Sequence, residues 1–269
     1  MEQSQYQFIS GKIKTLLGID LQYYKDVQMK RRLESWLSRS GKDNWDDFFE
    51  MVEADEEKLT KFRNFITINV SEFYRDIERW NSLQEDVMPM LLDEANQSSD
   101  RNMGIRIWSA GASIGAEPYT LSMILSGMAP MKDHYILASD IDRKALAQAK
   151  EGGPYLESDI RNVSGEIRTK FFKNSEPPYY VKDNLKKIIK FQEHDLFNSP
   201  FETEFDLIVC RNVVIYFTTE SKDILYKKFA RSLRMGGILF LGGTEIIPRP
   251  QEFGLRNHGV SFYKKVQEI

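Results

Sequence analysis

Short apolar runs alternate with helical patterns after about residue 100, and this alternation constrains the fold more than any other feature of the sequence. The runs, rich in β-branched residues, cover residues 105–108, 135–138, 188–191, 207–210 and 238–241. Helical patterns at 118–126, 143–150 and 221–233 lie between several of them. Such alternation predicts an α/β domain with a mostly parallel sheet, covered by helices on both faces. The last run, residues 260–266, follows turn residues without a clear helix, so we expect an antiparallel edge strand there.

The first part of the chain has a helical pattern with little strand or turn punctuation. Apolar residues recur at Met29, Leu33, Trp36 and Leu37, which places one apolar stripe on a helix. Gly41 is a candidate helix end and Asn44 a candidate cap for the next helix. We therefore predict a helical domain over residues 1–66 and an α/β domain over residues 67–269.

Composition excludes several classes of protein. A formal net charge of −3 is not that of a uniformly basic nucleic-acid-binding protein. Cys210 is the only cysteine, and the three histidines have no metal-ligand spacing, so we expect no intramolecular disulfide and no metal. The apolar runs fall short of the ~20 residues that a membrane helix needs. Residues 1–10 lack a signal-peptide pattern, and we expect a cytoplasmic protein that does not insert into membranes.

A loop of small residues follows the first predicted strand. It contains Gly111, Ala112 and Gly115, and Pro118 stands near the start of the next helix. Small residues let the backbone approach a ligand at the carboxyl end of a strand, where open α/β sheets bind ligands. The dinucleotide fingerprint G-x-G-x-x-G is absent. Tight packing between strand and helix is the alternative explanation for the small residues.

Asp140 ends the second predicted strand. A carboxylate there can accept hydrogen bonds from both ribose hydroxyls of an adenosine-containing cofactor. NAD and S-adenosylmethionine (SAM) share this ribose contact, so Asp140 does not distinguish them. A helix-capping role is the alternative, although Asp142 can also cap the helix that begins near Arg143.

Two more loops point toward the same crevice. Asp195 follows the third predicted strand and is a candidate partner for an adenine amino group. Arg211 and Asn212 open the loop after the fourth strand. Each alone has the character of a surface loop residue, but loops that follow successive parallel strands converge on one site.

Four segments resemble the CheR family of chemotaxis receptor methyltransferases: residues 69–76, 108–119, 138–142 and 210–217. They occur in the family's order, and the resemblance covers essentially the whole chain. It implies a Rossmann-like class I methyltransferase domain, an N-terminal helical domain and a small inserted β-subdomain. The proline-containing stretch at about 152–190 corresponds to that insertion.

The resemblance also implies a role for individual residues. It places Tyr216 at the methyl-transfer site. Arg75 and Tyr216 are the candidates for orienting the substrate carboxylate, and a buried core aromatic is the alternative for Tyr216. The residues assigned to SAM binding are Asn69, Ser71, Arg75, Glu117 (methionine part), Asp140 (ribose), Asp195 and Leu196 (adenine), Arg211 and Asn212.

The implied reaction is methyl transfer from SAM to glutamate carboxylates in the cytoplasmic helical region of chemoreceptors, by a monomer that binds no nucleic acid. A glutamate carboxylate is already ionised at neutral pH, because its ordinary pKa is about 4.3, so no strong general base is needed. One alternative is a methyltransferase with another substrate; an Asn-Pro-Pro-Tyr type motif, common in amino-group methyltransferases, is absent. The other is a SAM-binding module that docks on receptors without turnover.

Helical geometry adds a candidate docking surface. At 100° per residue, Arg31, Arg32 and Arg39 fall together on a face beside the apolar stripe that starts at Met29. An acidic receptor helix would complement these arginines. An ordinary solvated helix face is the alternative.

Overall fold

The computed structural model describes residues 1–67, 71–97, 104–130 and 132–269. Its contacts divide the chain into two units. The first comprises Met1–Ile68 together with Val214–Asp223, and the second comprises Asn69–Val213 and Ile224–Ile269. The first unit therefore includes a segment that is remote in sequence from its helices.

In the described residues 1–67, the first unit has four α-helices, and local chemistry explains where two of them begin or end. They are α1 (Gln3–Leu17), α2 (Asp26–Ser40), α3 (Trp45–Glu53) and α4 (Glu56–Thr67). Gly41 ends α2 in the left-handed conformation, with φ of 74°. The side chain of Asn44 accepts a hydrogen bond of 2.9 Å from the Asp47 N–H at the start of α3. Both predicted helix boundaries are confirmed.

Aromatic packing forms the core of the first unit. Met29 and Leu33 of the predicted stripe are buried, whereas Trp36 and Leu37 are half-buried. The Phe48 ring lies 4.9 Å from that of Phe62, edge to face. Burying a phenylalanine contributes about 1.5–3 kcal/mol, so contacts of this kind hold α3 against α4.

A seven-stranded sheet forms the centre of the second unit over the residues that the structure describes. Its strands are β1 (Arg106–Ala110), β2 (Tyr135–Asp140), β3 (Ile189–Glu193), β4 (Phe205–Cys210), β5 (Leu233–Leu241), β6 (Leu255–Asn257) and β7 (Phe262–Lys265). Their order is β3-β2-β1-β4-β5-β7-β6. The first five strands pair in parallel, which confirms the mostly parallel sheet.

The final strand corrects one prediction. β7 is antiparallel, as expected, but it pairs with β5 on one side and with β6 on the other. β7 is therefore not an edge strand. The edge is formed by β6, whose short Leu255–Asn257 segment has no apolar alternation to reveal it.

Helices flank the strands along the chain. They are α5 (Ile77–Ser82), α6 (Met88–Gln97), α7 (Ala116–Met128), α8 (Arg143–Glu151), α9 (Gly165–Phe171) and α10 (Thr219–Ser232). A π-helical turn, Leu83–Val87, joins α5 to α6. In the described part of the chain, no helix has the length and apolar character needed to cross a bilayer.

The segment between α8 and β3 holds little regular β structure. Isolated antiparallel bridges join Tyr155 to Tyr179 and Phe172 to Val181. In the sequence, α9 lies between Tyr155 and Phe172. A 3-10 helix runs over Asp183–Ile188, just before β3. The segment between α8 and β3 is thus stabilised by isolated bridges and by buried aromatic residues, including Tyr155 and Phe172.

The strand order places a crevice between β1 and β4. The chain runs from β1 outward to β2 and β3, and then crosses back to β4 and β5 on the other side of β1. The loops after β1 and β4 consequently diverge at the carboxyl edge of the sheet. Open α/β sheets bind ligands at such a switch point.

Candidate active site

The loop after β1 is drawn tightly against the end of β2. The N–H groups of Gly111 and Ala112 both donate to the Ser139 carbonyl, at 2.9 Å each. Gly111 has φ of 92°, and a Cβ there would lie 2.5 Å from Val213 Cγ2. Glycine is therefore required at this position both for its backbone conformation and for space.

Asp140 fastens this loop from the end of β2. One carboxylate oxygen accepts a 2.8 Å hydrogen bond from the Ser113 N–H, and the other accepts a 2.9 Å bond from the Asp142 N–H. Burial raises the pKa of Asp140 to about 6, although these backbone bonds oppose the rise. The capping role belongs to Asp142, which accepts from the N–H groups of Lys144 and Ala145. The Ile141 backbone also hydrogen-bonds to this carboxylate, and the lone pairs that the three backbone bonds leave over can accept from a ligand.

Glu117 occupies the first turn of α7 and is half-buried. Its Oε1 accepts a 2.7 Å hydrogen bond from Ser109 Oγ, on β1. Burial raises the pKa of Glu117 to about 7, while the charges of Arg211 and Arg75 and the Ser109 bond act in the opposite direction. Near neutral pH this carboxyl can thus be either protonated or ionised.

Arg211, just after β4, is buried and binds the segment that contains Arg75 and Asp76. Its Nη2 donates to the Arg75 carbonyl at 2.9 Å and to Asp76 Oδ2 at 2.8 Å. The guanidinium lies over the rings of Trp80 and Phe240, at 5.2 and 4.9 Å from their centroids. Its Nε is buried and meets no acceptor among the residues that the structure describes. A bound ligand could satisfy that donor.

Hydrogen bonds hold the backbone of Arg75 and of the residue before it. Its carbonyl accepts from Trp80 Nε1 at 2.9 Å as well as from Arg211. The preceding Tyr74 N–H donates to Thr120 Oγ1 at 3.2 Å. The half-buried side chain lines a depression of about 540 Å³, which also includes Asp76.

Backbone strain concentrates around these residues. Six described non-glycine residues have a left-handed φ, and four of them, Tyr74, Asp76, Ser113 and Asn212, flank or belong to the predicted site. Each such conformation costs about 1–3 kcal/mol and persists only where the surrounding contacts enforce it. Strain of this kind is typical of functional sites.

Glu245 is a site residue that sequence reasoning missed. It is 4% exposed, and its Oε2 accepts 2.8 Å and 2.6 Å hydrogen bonds from the N–H groups of Asn212 and Gly242. It thereby holds Asn212 in its left-handed conformation beside Arg211. The only sequence signal for Glu245 was its position, three residues after Gly242, the glycine that follows the fifth predicted strand.

Asp195 and Leu196 lie in a compact turn after β3. Both Asp195 oxygens accept local bonds, from the Phe197 N–H and from Asn198 Nδ2, at 2.8 Å each. The Leu196 carbonyl accepts from Lys228 Nζ at 2.7 Å. A hydrogen bond connects the residue before this turn to the end of β2: the His194 N–H donates to the Asp140 carbonyl at 2.9 Å.

Two further residues assigned to SAM binding belong to the stretch before α5. Ser71 is half-buried, and Asn69 lies outside the described residues. Their roles at the site stay predictions.

Tyr216 belongs to the first unit and is half-buried in a 3-10 turn, Val214–Tyr216. The predicted docking arginines lie in the same unit. Arg31 and Arg39 are exposed, but Arg32 is half-buried, bonded to the Phe65 carbonyl and stacked 4.4 Å from the Phe65 ring centroid. Burial lowers the pKa of Arg32, and nearby Tyr216 opposes that change. Arg32 is thus partly used in packing.

Comparison with known proteins identifies the family. The family model of the CheR methyltransferase SAM-binding domain matches residues 69–260, and that of the CheR all-alpha domain matches residues 4–67. A chemotaxis protein methyltransferase of Listeria monocytogenes is 38% identical over 263 residues, covering 98% of both chains. One of Salmonella typhimurium is 29% identical and covers 97% of this chain and 90% of that protein.

Solved structures give a weaker likeness. The DszA carbon methyltransferase aligns with a TM-score of 0.41 and 18% identity, over 65% of this chain and 38% of that one. The StiE O-MT aligns with a TM-score of 0.38 and 16% identity, over 61% and 42%. Both are too distant for a functional comparison. The two family models and the full-length relatives are sufficient: the chain belongs to the CheR methyltransferase family.

Proposed function

We propose that the protein transfers a methyl group from SAM to glutamate side-chain carboxylates of chemoreceptors, forming methyl esters. One observation supports this proposal beyond family membership: two carboxyls, Glu117 after β1 and Asp140 at the end of β2, lie at the carboxyl edge of the sheet, with the cationic Arg75 and Arg211 near Glu117. A ligand with a zwitterionic amino-acid end and a ribose diol matches this set of charges and acceptors.

SAM would be held along the carboxyl edge of the sheet. Asp140 would accept from the ribose hydroxyls, and Asp195 and Leu196 would meet the adenine. Glu117 would accept from the α-ammonium, and the buried Nε of Arg211 is a donor available to a carboxylate. Asn69, Ser71 and Asn212 complete the proposed pocket.

The residues would accelerate the reaction mainly by positioning. Bound SAM supplies an electrophilic methyl group. The glutamate nucleophile is already ionised at neutral pH, so no side chain has to remove a proton. Arg75 and Tyr216 would hold the carboxylate in line with the methyl group, and such orientation can contribute ~7–11 kcal/mol. Arg75 must hold it loosely enough to preserve its nucleophilicity.

Receptor recognition is proposed for α2. Arg31 and Arg39 are exposed there and Arg32 is half-buried, and the receptor helix is acidic wherever it carries several glutamates. Complementary charge of this kind speeds encounter more than it tightens the final complex.

Incubation with methyl-labelled SAM and receptor-containing membranes tests the proposal. Label released as methanol by mild alkali identifies a carboxyl methyl ester. Alkali-stable label would indicate methylation of nitrogen, hence another substrate class, and SAM binding without label transfer would indicate a binding module. Receptors whose candidate glutamates are replaced by alanine provide the matched control.

A further inference from the structure

The segment that carries Tyr216 is tied to the start of α2 by main-chain hydrogen bonds. The Lys25 N–H donates to the Tyr216 carbonyl, and the Thr218 N–H donates to the Tyr23 carbonyl, both at 3.0 Å. These bonds enclose an antiparallel bridge between Tyr24 and Phe217. Their two rings meet edge to face, with centroids 5.0 Å apart.

Lys25 binds this segment twice. Besides its N–H, its Nζ donates to the Ile215 carbonyl at 2.9 Å. The Ile215 carbonyl belongs to the peptide group before Tyr216, and the Tyr216 carbonyl to the peptide group after it. Lys25 therefore fixes both peptide planes that flank the Tyr216 Cα, and with them the direction of its Cα–Cβ bond.

The helix that follows Lys25 does not need the Lys25 side chain or its N–H. It occupies the N-cap of α2, but its side chain makes no capping hydrogen bond. Its carbonyl accepts from the Met29 N–H at 3.1 Å, a bond that does not involve the side chain or its own N–H. The two donors of Lys25 thus serve the Tyr216 segment, whereas the helix uses only its carbonyl.

We propose that Lys25 is a positioning residue for methyl transfer, which aims the Tyr216 side chain through the two peptide groups on either side of it. The inference rests on the proposed function, in which Tyr216 orients the substrate carboxylate. It gives the helical unit a part in the chemical step in addition to receptor docking.

Two variants separate the two bonds. Lys25→Met removes only the ammonium and retains the aliphatic stem. Lys25→Pro also removes the N–H. The φ of −68° at Lys25 and the extended Tyr24, with φ of −98° and ψ of 156°, suit proline, but the proline ring would occupy the space of the hydrogen bond to the Tyr216 carbonyl and so displace that segment. Lys25→Arg retains a donor. Lys30→Met is the matched control, because Lys30 lies on the same helix and its Nζ donates to Gln3 Oε1, away from the Tyr216 segment.

The experiment measures kcat, receptor KM and SAM Kd for the full-length protein, each variant also being made in a Tyr216→Phe background. Small misplacements of a catalytic group can lower a rate by about a hundredfold. We expect kcat to fall about threefold to tenfold in Lys25→Met and about tenfold to a hundredfold in Lys25→Pro, while KM and Kd change less than about twofold. Lys25→Arg and Lys30→Met should retain most activity. In the Tyr216→Phe background, the effect of Lys25→Met should largely disappear.

Three results would overturn the inference: an unchanged kcat in a folded Lys25→Met protein, a loss of the same size with and without the Tyr216 hydroxyl, or a loss expressed in receptor KM. Thermal unfolding checks that the variants are folded, and Lys25→Met carries the test if Lys25→Pro does not fold. If the wild-type protein forms no methyl ester, the proposed function fails together with this inference. If the wild type is active and the Lys25 variants match it, only this inference fails.

Discussion

The raised pKa of Glu117 makes SAM binding dependent on pH in a way that can be calculated. Burial raises this pKa to about 7 from its ordinary value of 4.5, so the unliganded protein holds a proton on Glu117 below pH 7. If Glu117 accepts from the α-ammonium of SAM, binding requires the ionised form. SAM affinity should therefore rise as the pH rises through this pKa. A carboxyl with an ordinary pKa would already be ionised and would give no such rise.

The size of the effect follows from the ionised fraction. With a pKa of about 7, that fraction grows about tenfold between pH 6 and pH 8, which would correspond to ~1.4 kcal/mol of binding free energy if the SAM ammonium kept its proton throughout. An α-amino group loses its proton near pH 7.7–8.0, so the gain should end near that range and affinity should fall at higher pH. Near pH 7, binding should release about half a proton from Glu117.

Isothermal titration calorimetry in buffers of different ionisation enthalpy measures both quantities. Glu117→Gln should bind SAM more weakly and lose the rise in affinity between pH 6 and 7.5. Ser109→Ala removes the 2.7 Å hydrogen bond to Glu117, so it should raise this pKa and move the affinity curve to higher pH. A wild-type affinity that is flat from pH 6 to 7.5, or an equal slope in Glu117→Gln, would refute the assignment of Glu117 to the ammonium.

Three further predictions address the other proposed roles. Asp140→Ala should weaken SAM binding at least about tenfold, ~1.5 kcal/mol, because charged hydrogen bonds to the ribose are lost; unchanged affinity by calorimetry in a folded variant would remove Asp140 from the site. Arg75→Ala should lower the methyl-transfer rate far more than SAM affinity, and equal losses would make Arg75 a cofactor ligand instead. Arg31→Glu should lower kcat/KM for receptor mostly at low salt, since screening is already strong near 0.1 M, whereas Arg32→Glu should also lower the Tm through loss of its Phe65 contacts. Normal methylation by Arg31→Glu at low ionic strength would exclude this part of α2 from docking.

Local signals were sufficient for much of the fold. The ends of α2 and α3 depend on Gly41 and Asn44, whose conformational freedom and capping chemistry are properties of single residues. The parallel strands are also predictable, because a strand buried on both faces is a continuous apolar run, as in β4. β6 and α9 are short and carry no such period, so their positions could not be predicted from local pattern.

The positions of the candidate site residues were predictable where they depend on the end of a strand, and their roles stay predictions. Asp140 and Arg211 follow strands whose carboxyl ends must share one edge of the sheet. Other contacts depend on residues that meet only after folding. Nothing near Arg32 in sequence indicates that its guanidinium reaches Phe65, and nothing near Glu245 indicates that it holds Asn212. Helical angles and strand ends predict the side of an element on which a side chain lies. They do not predict which group, distant in sequence, a long side chain reaches.

The discontinuous composition of the first unit constrains how proteins of this kind can be recombined. Residues Val214–Asp223 group with the N-terminal helices, so a cut near residue 68 separates this segment from its hydrogen-bond partners at Tyr23 and Lys25. It would also deprive the buried Phe217 ring of its contact with Tyr24. A chimera that exchanges the helical domain between relatives should therefore take this ten-residue segment from the same relative as the helices.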